Sequence, residues 1–157
     1  MEKFEIINVL GTNIYDYSPH DDINISNAFT SLFFELFINP YKENGYFGYE
    51  TNFVTVKPGD VVIDCGGHFG LFSAWAASRG AKVYTFEPSK AALPFLLEQQ
   101  KLYPDIEIMP YAVGEKESVA NFTECYFSCG SHLSIHQINQ SCIDKEIYPV
   151  QITTLDN

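Results

Sequence analysis

Positive charge is scarce in this sequence: nine Lys and Arg residues stand against 20 Asp and Glu, a formal net charge of -11. A nucleic-acid partner needs a basic stripe that neutralises phosphates, and none is visible. The same deficit disfavours an anionic membrane surface. Long apolar runs are missing too. The cluster from Phe29 to Ile38 is broken by Thr30, Ser31 and Glu35 and is too short to span a bilayer. Met1 is followed by Glu2, Lys3, Phe4 and Glu5, without the basic and apolar regions of a secretory signal. Only four cysteines occur, Cys65, Cys125, Cys129 and Cys142. With no secretory signal they are expected as reduced thiols in a cytoplasmic protein. Cys125 and Cys129 lack a second pair at zinc spacing, and His132 and His136 lack a Glu or Cys to complete a set, so no metal site is expected. Repeats, low-complexity tracts and linkers are absent.

What is present suffices for one domain with a core: 157 residues, 46% hydrophobic and 15% aromatic. Phe4 to Val9, followed by Gly11-Thr12-Asn13, reads as a strand entering a turn. Asn24 to Ile38 has apolar residues at helical spacing, Phe29, Phe33 and Phe37 among them, and Asn39-Pro40 stops it. The stripe reads as core packing. Lys57-Pro58-Gly59-Asp60 is a turn before Val61-Val62-Ile63, a short β-branched run of the kind found in buried parallel strands. A glycine-bearing loop, Asp64 to Gly70, leads into a helix over Leu71 to Arg79, with Gly80 beyond its end. Lys82 to Phe86 is the next strand. A helix capped by Ser89 runs to about Leu102, with a late start or a kink at Pro94. Ile106 to Met109 is a third strand. Ser118 to Glu124 and Ile147 to Thr153 alternate like two antiparallel strands.

This order predicts an α/β, doubly wound, three-layer α/β/α sheet with strands in the order 3-2-1 plus an added hairpin. Residues 1–45 read as a strand and helix cap, and 46–157 as the ligand-binding domain. The strand over Val61 to Ile63 is too apolar for an edge, so a further strand is expected on its other side. On that ground the sequence reads as the front half of its domain.

The chemistry lies in Asp64-Cys65-Gly66-Gly67-His68-Phe69-Gly70 and in Val83 to Pro88. Gly66 and Gly67 let the backbone turn sharply and approach a ligand, at the carboxyl end of a strand where such folds bind ligands. Glu87, 23 residues after Asp64 at the end of the next strand, is placed to accept both hydroxyls of a ribose. A dinucleotide fingerprint wants three glycines as G-x-G-x-x-G, and His68 stands where the second belongs. Asp64 would repel a pyrophosphate and would suit an ammonium group instead. S-adenosylmethionine carries that ammonium, a sulfonium and a ribose. Taken alone, Glu87 is also readable as a solvated strand end, Asp64 as a turn residue, and His68 as a solvated or backbone-bonded loop histidine.

Asp64 to Gly70 resembles motif I of class I methyltransferases, and the surroundings resemble the FkbM family. The matching pieces are residues 57–64, Phe86-Glu87-Pro88-Ser89, Tyr111-Ala112-Val113-Gly114, Gly130-Ser131-His132-Leu133 and Thr153-Thr154-Leu155-Asp156. The resemblance covers about residues 46 to 157. It implies S-adenosylmethionine as cofactor, with Asp64, Gly66 and Gly67 at the methionine end, beside Cys65, His68, Phe69 and Gly70 of the motif. It further implies Glu87 on the ribose, and Pro88, Ser89, Ala112 and Val113 along the adenine. Glu50, in Tyr49-Glu50, lies where methyltransferases often place a cofactor contact. The family mostly methylates hydroxyl oxygens, so the implied acceptor is a saccharide or small natural product. Gly67 stands where the family more often has Ala, a change expected to be harmless. The family's next strand, with its Asp-x-Glu-Gly segment, is not in the sequence. The catalytic base is not named by the sequence. A nicotinamide-dependent oxidoreductase and a non-catalytic cofactor-binding fragment are the alternative readings.

Overall fold

The computed structural model describes residues 4–9, 11–33, 55–125, 131–133 and 144–156. Strands β1 (Ile6–Val9) and β2 (Thr12–Tyr15) form an antiparallel hairpin around Gly11, and helix α1 (Ile23–Phe33) follows. Then come β3 (Val61–Cys65), α2 (Leu71–Ser78), β4 (Lys82–Phe86), α3 (Leu93–Leu102) and β5 (Ile106–Met109). The last part is β6 (Ala112–Val113), β7 (Ser118–Cys125), β8 (His132–Leu133) and β9 (Asp144–Thr153).

β3, β4 and β5 form a parallel sheet in that order, with Val61 opposite Lys82 and Val83 opposite Ile106. The chain is thus mixed α/β, and these three strands lie in the expected order. β-branched residues favour the strands. One face of the sheet packs on the helices: Val83, Ala74, Ala76 and Ile106 join a single core, with Phe95 of α3 and Tyr103 just beyond it against that core. Fully burying Val83 or Ile106 stabilises the fold by about 1.5–3 kcal/mol each. Alanines suit α2, because small, good helix formers let it lie close to the strands. Gly80, with φ 85°, ends it as expected. Helix α3 starts late, at Leu93, and Pro94 sits in its first turn, where its missing N–H costs nothing.

The hairpin covers the helices. Thr12 and Ser78 hydroxyls meet at 2.9 Å, Asn13 N–H donates to Tyr103 Oη at 2.7 Å, and Tyr15 N–H donates to Gln99 Oε1 at 3.2 Å. Tyr17, wholly buried, donates its hydroxyl to Phe95 O at 3.2 Å. Among the described residues the layers are therefore sheet, helices, then hairpin, and none of the described helices covers the sheet's other face. On the sheet's other face Val61 and Ile63 are 66% and 49% exposed. Lys82 and Glu107 pair there at 3.3 Å. The cause is topological: α2 and α3 both pack on one side of the sheet. Among the described residues β3 is an edge strand, and none of them supplies the further strand that its composition calls for.

The second sheet has the order β6-β9-β7-β8. β7 and β9 run antiparallel from Ser118 opposite Ile152 to Cys125 opposite Asp144, with an irregularity between Glu124 and Cys125. The two antiparallel strands read from the sequence are these. Ala112, Phe122, Tyr148, Val150 and Ile152 form a smaller core.

Two details depart from the sequence reading, at Thr12-Asn13 and at Cys125. Thr12-Asn13 is the start of a strand and not a turn, because the chain has already reversed at Gly11, φ 85°, leaving Thr12 paired with Val9. α1 is described as far as Phe33, so Phe37 and the Asn39-Pro40 stop lie outside the described residues. Cys65 is free, whereas Cys125 is disulfide-bonded to a partner outside the described residues. The expectation of reduced thiols fails at Cys125, since spacing along the chain does not reveal which cysteines a fold brings to bonding distance. Cys129, Cys142, His136 and Glu50 also lie outside the described residues. Among the described residues no helix is long and apolar enough to cross a membrane.

Candidate functional site

The carboxyl ends of β3 and β4 open on a cavity of about 390 Å³. That is within the ~300–1,000 Å³ common for ligand pockets. Cys65, Gly66 and His68 line it from the bend after β3, and Phe86, Glu87, Pro88 and Ser89 from the end of β4. Ala112 and Val113 of β6, with Tyr111 just before them, also line it. Leu32 of α1, Phe122 of β7 and Ser131 complete the wall.

The bend is held by its own backbone. Gly66 and Gly67 both donate N–H to Phe86 O, at 2.8 and 3.2 Å, and Gly70 N–H closes a turn on Gly67 O at 2.7 Å. His68 N–H donates to Glu87 Oε2 at 2.7 Å. Three successive amides are thus taken by the end of β4. Gly66 has φ 95°, a conformation glycine adopts without penalty, and a Cβ built there meets nothing within 4 Å. His68 has φ 49°, the left-handed region that few non-glycine residues enter.

Gly67 is confined differently. A Cβ there would stand 2.0 Å from Thr85 Cγ2 and 3.5 Å from Asp64 Oδ2. The alanine common in the resembled family would not fit against this Thr85, so glycine here is a steric necessity and not a neutral exchange. At Gly70 a Cβ would meet Leu96 at 2.6 Å, so this glycine admits the close approach of α3.

Asp64 is buried and does not line the cavity. Its Oδ2 accepts the Ser73 hydroxyl at 2.5 Å, and Ser73 meets Thr85 Oγ1 at 2.6 Å. The carboxylate braces the start of α2 under the bend. Burial raises its pKa, and the Ser73 hydrogen bond opposes that rise.

Glu87, 5% exposed, accepts His68 N–H on Oε2 and Ser89 N–H on Oε1, each at 2.7 Å. A carboxylate oxygen has two lone pairs, so one acceptor position remains on each. Burial raises the Glu87 pKa most, the two N–H donors pull it down, and the charges of Glu124 and Asp64 push it up. Burial lowers the His68 pKa to about 4 against a small opposing pull from Glu124. The imidazole is therefore neutral near pH 7. Burial, then the Asp64 charge, raises the Cys65 thiol.

Of the residues proposed from sequence, Cys65, Gly66, His68, Glu87, Pro88, Ser89, Ala112 and Val113 come together around the cavity. Asp64, Gly67, Phe69 and Gly70 sit beneath it as packing, all four buried. Sequence reasoning missed Leu32, Phe86, Tyr111, Phe122 and Ser131 as wall residues. It also missed Glu124, a buried carboxylate on β7 that accepts hydrogen bonds from Ser89, Ser131 and Tyr148. The available signal was a lone acidic residue within Phe122-Thr123-Glu124-Cys125, a strand end buried on both faces. Among the described residues no three His, Cys, Asp or Glu side chains gather as a metal site. No protein family and no curated protein matches this chain.

Proposed function

We propose that this chain is the S-adenosylmethionine-binding part of a Rossmann-like, FkbM-type methyltransferase that acts on a hydroxyl oxygen of a saccharide or small natural product. The observation that carries the reading is the joining of Glu87 to the glycine bend across one cavity: Oε2 on His68 N–H at 2.7 Å, with Gly66 open beside it. Glu87 keeps two free acceptor positions for a ribose diol. The space over Gly66 admits the amino-acid end of the cofactor. Ala112, Val113 and Phe122 offer an apolar wall to an adenine.

A bound S-adenosylmethionine would supply a methyl group already activated by its sulfonium. The chain's part is alignment, which accounts for much of the rate advantage of such transfers. The described cavity wall carries carboxylate and no Lys or Arg, an environment suited to a cationic cofactor. The nicotinamide reading fits less well. A pyrophosphate would meet no cationic side chain on that wall, and the N–H groups of Gly66, Gly67 and His68 are bonded to β4.

Calorimetric titration of the chain with S-adenosylhomocysteine and with NADH tests this. Binding of the first in the micromolar range, without the second, is the expected result. Binding of NADH alone would overturn the proposal.

A further inference from the structure

The cavity has a second polar wall, and its hydrogen-bond polarity is fixed from behind. Glu124 is 2% exposed. Ser89 Oγ lies 2.9 and 3.0 Å from its two oxygens, Ser131 Oγ 2.8 Å from Oε1, and Tyr148 Oη 2.6 Å from Oε2. Each of these hydroxyls also accepts a backbone N–H. Ser89 takes that of Ala92 at 3.0 Å, Ser131 that of Cys125 at 3.0 Å, and Tyr148 that of Lys90 at 2.9 Å. An ionised carboxylate only accepts, and a hydroxyl has one proton to give. All three protons therefore point at Glu124. Ser89 and Ser131 line the cavity, and each has one oxygen lone pair and no proton left for a ligand there.

We propose that Glu124, acting through Ser89 and Ser131, makes this wall accepting only, so that it recognises the exocyclic amino group of an adenine. Glu124 is a positioning residue; the two serines are the specificity determinants. The inference rests on the adenosyl-cofactor reading. It goes further by naming the edge of the purine that is read and the side chains that read it. An amino group donates to lone pairs. A purine with hydrogen at that position leaves them unpaired once the ligand is seated, and an unmade hydrogen bond weakens binding.

The test is calorimetric titration of the full chain with S-adenosylhomocysteine and with its analogue carrying hydrogen in place of the 6-amino group. Wild type is expected to bind the analogue about tenfold more weakly. Ser131→Ala, at a half-buried wall position, should weaken S-adenosylhomocysteine while leaving the analogue unchanged, so that the discrimination collapses. Glu124→Gln should also collapse it, because the new amide donates to a serine oxygen and turns that hydroxyl proton towards the cavity. A general loosening of the fold would weaken both ligands equally in either variant and would overturn the proposal. So would equal binding of the two ligands by wild type, with the cofactor reading intact. Failure of wild type to bind either ligand overturns both. If Glu124→Gln does not fold, Ser131→Ala decides.

Discussion

Glu87 Oε2 accepts the backbone N–H of His68 at 2.7 Å, tying the bend after β3 to the end of β4 through a side chain. The link explains how one carboxylate can shape a cavity and also face it. Its loss should therefore be felt twice. Glu87→Ala is expected to weaken S-adenosylhomocysteine binding by about 1–3 kcal/mol, the cost of unpaired polar partners. Glu87→Gln keeps one acceptor oxygen for two backbone donors and should lower the melting temperature as well. Calorimetry and thermal unfolding of the two variants check this; unchanged affinity in both would remove Glu87 from the site.

Gly67→Ala should destabilise the protein by about 1–3 kcal/mol, the usual cost of overpacking. The clash is with Thr85 Cγ2, at 2.0 Å from the added Cβ. Thr85→Ser removes that methyl and keeps the hydroxyl beside Ser73. The double variant should regain much of what Gly67→Ala loses, read as a coupling energy in urea unfolding. Additive losses would show that the bend yields elsewhere.

At Gly66 the added side chain meets open space, so the penalty is one of backbone and ligand and not of packing. Gly66→Ala should cost about 1–2 kcal/mol of stability from its positive φ. Gly66→Val should abolish ligand binding, because the branched side chain fills the approach that glycine leaves open. A folded Gly66→Val protein with wild-type affinity would contradict the placement of the ligand.

His68 predicts a pH dependence. Its folded pKa, about 4, lies below the ordinary 6.5. The unfolded chain then binds the proton first, and the fold loses stability as pH falls from 6.5 towards 4. The raised Asp64 and Glu87 pKa values act in the opposite sense as pH falls, so the comparison must be differential. His68→Asn suits the positive φ and does not titrate. Between pH 7 and pH 4.5, wild type should lose roughly 2–3 kcal/mol relative to that variant. Parallel stability curves would mean that the ring is protonated in the folded state as easily as in water.

Much of this was legible in the sequence where local chemistry decides the outcome. The β-branched run at Val61, the glycines at 66, 67 and 70 and the acidic end of β4 state their conformations in their own residue types. Pro94 even announces the late start of α3. The remainder depends on partners distant in the chain. Asp64 reads in the sequence as a ligand contact because a carboxylate beside the glycine bend would suit an ammonium group; in the fold its Oδ2 is taken by Ser73, nine residues on. Glu124 was invisible because its three hydroxyl partners lie 35, 7 and 24 residues away. That both described helices of the parallel sheet take one side of it was unreadable for a similar reason, since strand composition does not say which side the helices take.

Tyr17 is buried from end to end, its ring 6.1 Å from Phe69 and 4.8 Å from Phe95 by their centroids. Phe69 follows His68 in the bend, and Phe95 belongs to α3. The opening segment is therefore not a lid that could be trimmed away: an N-terminal deletion past Tyr17 would strip Phe69 of one of its aromatic neighbours and loosen the bend beside the imidazole. Wear in the first twenty residues would register in the cavity before anything that binds there had been altered.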